Sequence, residues 1–417
     1  LVPPQVSGTQ VGRWIYISPD GAHHAFYSTL HEDVAETDPN DTCLYTRDGS
    51  YYRLYSYSAT LRFVESPDGT QSLFELANGE WRLKQIGDRY TNRLWFTYGT
   101  NLLTLSDNHG RVHRVHFKAD PTGVYQALVD RIELAAFNGT TAIYTFAYKI
   151  DTISRPSADT DAATSATVSL PVLVSVTLPD GSLYRLDYHG QTDPAVSGRL
   201  ASMQLPTLGS IRWNYTTYAF TSGGRPTALD PMYRSNVGVG SRAVIDSAGT
   251  EIGRWTYQPA LNPAGQEERE MTNTVITPVG DRFVYYFNVN TTSTTGPWRR
   301  GLYGLPGTQN EYDSTGTRSL AWRVLDCDAA GNGCQPVRAS YARYEQDTEL
   351  NPSSPEVANT NRREASRRTL YHDDVENGNA RFADVDRSDF DGLGHYRRTV
   401  TNGNFGAGDV RETYVSY

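Results

Sequence analysis

Four aspartates, Asp384, Asp386, Asp389 and Asp391, followed by Gly392, form the densest group of hard oxygen donors in the chain. Carboxylates so spaced could converge on calcium, but the pattern departs from the twelve-residue calcium loop. Asp389 and Asp391 also belong to a repeated turn. Asp326, Asp328 and Asn332 are a fainter version and read as a turn. His109, His113 and His116 suggest a metal cluster, yet on a strand His113 and His116 have opposite parity and point to opposite faces. His23 and His24 fail likewise. No Gly-x-Ser-x-Gly elbow, phosphate loop or His-Glu-x-x-His motif occurs. A glycosidase acid and nucleophile are defined by their separation in space, so the many carboxylates here single out no pair. The residues therefore nominate no catalytic group and no cofactor, with calcium the one metal to consider.

Cys327 and Cys334 bracket a turn-rich segment, Asp328-Ala-Ala-Gly-Asn-Gly333. They read either as a small disulfide loop in an oxidising compartment or as two free thiols, with Cys43 an unpaired core residue. No spacing resembles a zinc site. Sequons at Asn40, Asn138, Asn214 and Asn290 matter only in a eukaryotic secreted chain.

The elements that must position these residues are written as a repeat. Between Leu76 and Phe117 the chain nearly superimposes on itself: Ile86 falls over Leu105, Asp88 over Asp107 and Tyr98 over Phe117. Each copy has an alternating arm, a polar turn and a second alternating arm ending in aromatics, the pattern of a hairpin with one buried face. A period of about 20 residues is too short to stand alone, so each hairpin must bury its face against neighbours.

The turns recur along the chain at Asp20-Gly21, Asp48-Gly49, Asp68-Gly69, Asp180-Gly181 and Asp391-Gly392, and in the wider form at Asp107 with Gly110 and Asp313 with Gly316. In Pro-Asp-Gly, proline presets the first turn residue, aspartate bonds its own backbone and glycine supplies positive φ. Helical periodicity is nearly absent. The expectation is an all-β chain, residues 1–417 forming a single array of antiparallel hairpins in a curved, spiralling sheet, shell or partial barrel. Surface loops are expected near 151–171, 219–240 and 345–368.

Composition bounds the function. Aromatics reach 12%, with 28 tyrosines, which suits half-buried strands with hydroxyls at a rim. A net charge of −9, from 38 basic and 47 acidic residues, argues against a nucleic-acid partner. The one dense basic patch, Arg362-Arg363 with Arg367-Arg368, reads as a solvated loop. No apolar run is long enough to span a membrane as a helix. The start without Met and the alternating stretch from Arg411 to Tyr417 predict a processed piece of a longer protein.

The Asp-x-x-Gly-Arg spacing at Asp107, Gly110 and Arg111, the Tyr-Asp-x-x-Gly spacing at Tyr312, Asp313 and Gly316, and Asp389-Phe390-Asp391-Gly392-Leu393-Gly394 resemble the YD repeat of the RHS family. That family includes bacterial polymorphic toxins, shell subunits of insecticidal toxin complexes and the animal teneurins. The resemblance covers most of the chain outside the three loops and implies a spiralling β-shell around a hollow interior.

It implies no active site here, because the family's self-cleaving core is C-terminal and carries an Asp-Pro-x-Gly-type motif, and no such motif stands in the C-terminal part of this chain. The expected role is a non-enzymatic shell segment of a secreted or surface protein, bacterial in type, enclosing or scaffolding a toxin or other effector. Its partners would be the remaining repeats and core of the same polypeptide or a partner shell subunit, and the enclosed effector polypeptide. The alternative is an adhesion or glycan-binding module using Trp95, Trp213 or Trp255. A carbohydrate-active enzyme comes third.

Overall fold

In the computed structural model 63% of the residues are strand, and the described residues contain no α-helix. Described are residues 1–417 except 5, 8–9, 31–41, 157–164, 194–195, 219–235, 262–269, 289–312, 329–330, 346, 348–360, 377, 407 and 417. Asn40, Asn290, Tyr312 and parts of the three expected loops fall outside the described residues.

A short pair, β1 (Val6–Ser7) and β2 (Gln10–Val11), precedes one antiparallel sheet of 26 strands, from β3 (Ile15–Ile17) to β28 (Arg411–Tyr414). Every strand pairs with the next in sequence, and among the described residues no ladder joins β28 to β3. The sheet is thus an open ribbon, curved but not closed into a barrel. Antiparallel strands joined by tight turns need no crossover, so chain order and ribbon order coincide.

The turns explain why the hairpins form. Aspartate occupies two places and reaches the same target from both. At the first turn position, Asp107 Oδ1 accepts the amides of His109 and Arg111 at 3.0 and 2.9 Å, and Asp391 Oδ1 those of Leu393 and His395 at 2.7 and 3.1 Å. At the third position, Asp20, Asp68 and Asp180 accept the amides of Ala22, Thr70 and Ser182. In each case the carboxylate holds the amide that closes the turn. Gly21, Gly69, Gly110, Gly181 and Gly316 take positive φ one residue earlier, as a three-residue hairpin loop requires. In the Asp391 turn both Gly392 and Gly394 have positive φ, and the closing bond runs from the Asp391 amide to the His395 carbonyl.

These bonds also set the carboxyls' acidity. The Ser66 hydroxyl and Thr70 amide hold Asp68 below the usual carboxylate range. Asn92 does the same for Asp88.

The described part of the first expected loop is strand, and so is the end of the third, from Arg363 to Arg368. β14 (Thr141–Pro156) and β15 (Ser165–Thr177) pair through Thr152 with Ser169 and Ile153 with Val168, so the stretch near 151–171 is mainly hairpin arm. Its Ser and Thr residues hid the alternation, but Thr152 and Ser169 hydroxyls bond across the strands at 3.0 Å. β23 (Ser319–Asp326) and β24 (Gln335–Glu345) precede β25 (Arg363–Glu376), which β26 (Asn379–Phe390) and β27 (Tyr396–Gly403) follow, so the basic patch from Arg363 on is strand rather than solvated loop.

The arginines there are engaged. Arg362 lies 4.7 Å over the Tyr344 ring, Arg363 pairs with Asp347 at 3.1 Å, and Arg367 bonds Glu364. Charge pairing replaces the apolar alternation that would have marked this strand.

Two clusters of buried apolar side chains form, one in the first strands of the ribbon and one in its later third. Trp14, Phe26, Leu44, Leu54, Val64 and Phe74 make one cluster; Tyr286, Leu320, Ala339 and Tyr341 make another. Leu44 faces Leu54 and Leu54 faces Val64 across the ladders, so these three share one sheet face. The first residues cover it: Trp14 meets the Trp81 ring edge-on at 5.4 Å, and Tyr16 meets Phe74 at 6.1 Å.

Candidate functional site

The face that is covered from β5 (Cys43–Thr46) to β8 (Gln71–Ala77) continues along the ribbon with no packed second layer among the described residues. Ile86 faces Leu94, Leu103 faces Val115, Val115 faces Ile132 and Ile132 faces Tyr144. Phe146 then faces Val176, which faces Tyr184, and Met203 links Leu186 to Ile211. Alternation divides the two sides. Tyr144 and Phe146 are partly buried while Ile143 and Thr145 are exposed, and Ile211, Trp213 and Tyr215 are partly buried while Arg212, Asn214 and Thr216 are exposed. A period of two puts each set on its own face.

Among the described residues the extensive contacts between strands run between ladder neighbours. The apolar set is therefore shielded by curvature and by its own crowding. A hollow of about 720 Å³ opens on it, lined by Ile86, Leu94, Leu105, Val115, Ile132 and Leu134, with Asp88, Asp107 and Arg111 at the turn end. An apolar face of this extent left uncovered in water is the usual mark of an interaction surface.

The ribbon's late strands meet its early turns along a seam. Asn361, fully buried, donates its amide to the Arg47 carbonyl at 3.0 Å, accepts the Gly49 amide at Oδ1, and donates Nδ2 to Asp347 at 2.8 Å and to the Leu30 carbonyl at 3.3 Å. The Tyr51 hydroxyl donates to the Asn361 carbonyl at 3.0 Å, and burial pushes that hydroxyl's pKa up to about 12. The Tyr51 ring sits edge-on to Phe390 at 5.5 Å, and the Arg363 guanidinium covers Phe390 at 3.9 Å.

Gly49 is dictated by this approach. A Cβ there would stand 3.0 Å from the Arg362 carbonyl oxygen, at a φ of +85°. One turn further, His395 bridges the Asp391 carboxylate and the Pro67 carbonyl. The seam thus joins two parts of the ribbon by side chains and turn amides instead of a ladder.

The acidic cluster proves to be part of a second polar junction. Asp384 takes a two-pronged bond from Arg368, Nε to Oδ1 at 2.7 Å and Nη2 to Oδ2 at 2.6 Å. Arg318 bonds Asp313 at 3.0 Å and Asp386 at 2.7 Å. Burial opposes ionisation of Asp313, but the Thr315 hydroxyl and the Arg318 guanidinium outweigh it and leave the carboxyl below its usual range. Asp389 sits at positive φ, and Asp391 is spent on its turn and on His395. Guanidinium groups occupy the oxygens that a calcium ion would need, and among the described residues no group of three or more acidic, His or Cys side chains is arranged to hold a metal.

The histidines disperse as parity requires: His116 pairs with Glu133 at 3.0 Å, while the His113 ring accepts the Ala135 amide. Cys327 and Cys334 form a disulfide, S–S 2.07 Å, closing the turn in which Asp328 accepts the Asn332 amide; Cys43 is a free thiol, partly buried. Trp213 and Trp255 share the apolar face with Arg242 between them, whereas Trp95 lies on the opposite face from Leu94 and Phe96. The seam residues Tyr51, Asp347 and Asn361 carry no sequence signal. Asn361 sits in a polar stretch that reads as loop, and only its partners, far away in the chain, give it a role.

No family model matches the chain, and no curated protein matches it. Among solved structures, a porin-like protein from Bacteroides uniformis is 14% identical over 60% of this chain and 100% of its own, with a TM-score of 0.20. The TcdB2-TccC3 structure without its hypervariable C-terminal region is 11% identical over 95% of this chain, with a TM-score of 0.23; the chain spans 19% of its length. A TcdB2-TccC3-TEV structure is 9% identical over 93% of this chain and 24% of its own, with a TM-score of 0.17. Scores of this size carry no argument about fold or role.

Proposed function

We propose that the chain is a non-enzymatic wall segment of an RHS-type shell, secreted or on the cell surface, whose hairpin ribbon encloses or scaffolds an effector polypeptide. One observation carries this reading: a single continuous apolar face, with no packed second layer among the described residues, on a ribbon whose late strands are docked to its early turns. A sheet that merely needed a core would cover that face with a second layer. A wall that must receive a partly unfolded polypeptide keeps it open and smooth, and excludes water and proteases by geometry. Other repeats of the same polypeptide, or a partner subunit, would complete the enclosure.

The glycan-binding alternative is weakened by how the aromatic rings are used. The Arg242 guanidinium covers the Trp255 ring at 4.3 Å, and Tyr215 already meets His189 edge-on and Arg199 at 5.5 Å. Negative-stain imaging of the full-length gene product tests the proposal. A hollow particle is the expected result; a compact solid particle without a cavity would remove enclosure as the role.

A further inference from the structure

Arg242 is out of place on the apolar face. Its ladder partners are Trp213 on β18 (Ser210–Tyr218) and Trp255 on β20 (Glu251–Leu261), and Val244 beside it faces Ile211. Among the described residues of this face between β10 (Arg93–Gly99) and β22 (Arg282–Asn288), it is the one Lys or Arg at an in-register strand position.

Two cations on the exposed face have acids beside them: Arg254 has Glu251 and Arg131 has Glu133. Arg242 has no ion pair among the described residues, and its Nε is buried without a hydrogen-bond partner. Among the described residues its one partner is the face of Trp255, which attracts a cation but accepts no N–H in the guanidinium plane. A partly buried guanidinium whose Nε donor is unused is complementary to a carboxylate.

We infer that Arg242, framed by Trp213 and Trp255, is a seat for a carboxylate carried by an otherwise apolar polypeptide segment lying on the inner face. This rests on the reading of that face as a wall that receives polypeptide. The surroundings favour a peptide acid over a sugar acid: Trp255 is covered, so a pyranose ring finds no open indole there, while Ile211, Val244 and Tyr257 offer the contacts that apolar side chains seek. The seat would fix the register of a chain that the rest of the wall holds without specificity.

Two capped pentapeptides, acetyl-Leu-Phe-Glu-Phe-Leu-amide and its Gln twin, test this by calorimetry and tryptophan fluorescence on the full chain. The Glu peptide is expected to bind about tenfold more tightly, the usual gain of a charge-assisted over a neutral hydrogen bond. Arg242→Gln should abolish the preference while leaving the Gln peptide's affinity unchanged, and Arg242→Lys should keep part of it. Equal affinities in the unaltered protein, or a preference that survives Arg242→Gln, overturn the seat but leave the wall reading intact. If neither peptide binds, the wall reading fails and the seat with it. The comparison of peptides on the unaltered protein decides the matter even if a variant does not fold.

Discussion

Replacing Asn361 by alanine probes the seam at its most connected point. The side chain is fully buried, and its amide group holds the Gly49 amide, the Leu30 carbonyl and the Asp347 carboxylate. Truncation strands all three. Two neutral bonds at about 1 kcal/mol each and one to a charged group at about 2 kcal/mol give about 4 kcal/mol. Asn361 also sits at φ +52°, a region asparagine tolerates better than alanine, adding about 1 kcal/mol. Glycine lacks that last cost, so Asn361→Gly should be about 1 kcal/mol less harmful than Asn361→Ala.

The loss should be local to the seam, because the ladders are untouched. Hydrogen exchange is the suitable assay: the Gly49 and Asn361 amides should lose protection in Asn361→Ala, while amides of β10, β11 (Leu102–Asp107) and β12 (Val112–Lys118), such as Phe96 and Val115, keep theirs. Unchanged exchange at Gly49, or a loss spread evenly over the ribbon, would refute the idea that side-chain docking joins its late strands to its early turns.

Three further outcomes follow from the same contacts. Carboxyls lowered in the folded state, Asp68, Asp88 and Asp391 among them, contribute stability that is present above their unfolded value of about 4 and is lost as pH falls through the folded values; melting temperature should be flat from pH 7 to 5 and drop by pH 3, and a flat profile to pH 3 contradicts this. Arg318→Met leaves the buried Asp313 carboxylate without its main partner and should cost about 3–5 kcal/mol, read by denaturant titration; a loss below 1 kcal/mol speaks against the junction. Cutting the Cys327–Cys334 bond with Cys327→Ser/Cys334→Ser frees a loop of sequence separation 7 and should cost about 2–3 kcal/mol in the β23–β24 hairpin, seen as faster proteolysis there; unchanged cleavage would count against it.

What the sequence displayed was local. Pro67-Asp68-Gly69 and its kin spell the turn, and the alternation of Tyr144, Phe146, Tyr148 or Ile211, Trp213, Tyr215 spells the strands, so an all-β hairpin ribbon could be read directly. Strands held by polar pairs were invisible to that reading: Thr152 against Ser169 and Arg368 against Asp384 lack the apolar rhythm. The seam was invisible for a different reason. Gly49 and Asn361 are 312 residues apart, and nothing in either neighbourhood announces the other, because the path of the coil is set by twist accumulated over many strands. The acidic cluster misled in the opposite direction, since residue type gives ligand chemistry while only packing reveals that guanidinium groups already fill it.

A side-chain-resolution cryo-EM map of the chain is the most direct measurement of the whole account. It should show one unbroken ribbon with Tyr51 against Phe390, Asn361 seated in the 47–49 turn, and open space over Ile132, Tyr144 and Trp213. Early turns standing free of β25–β27, or a second layer packed onto that apolar face, would contradict it.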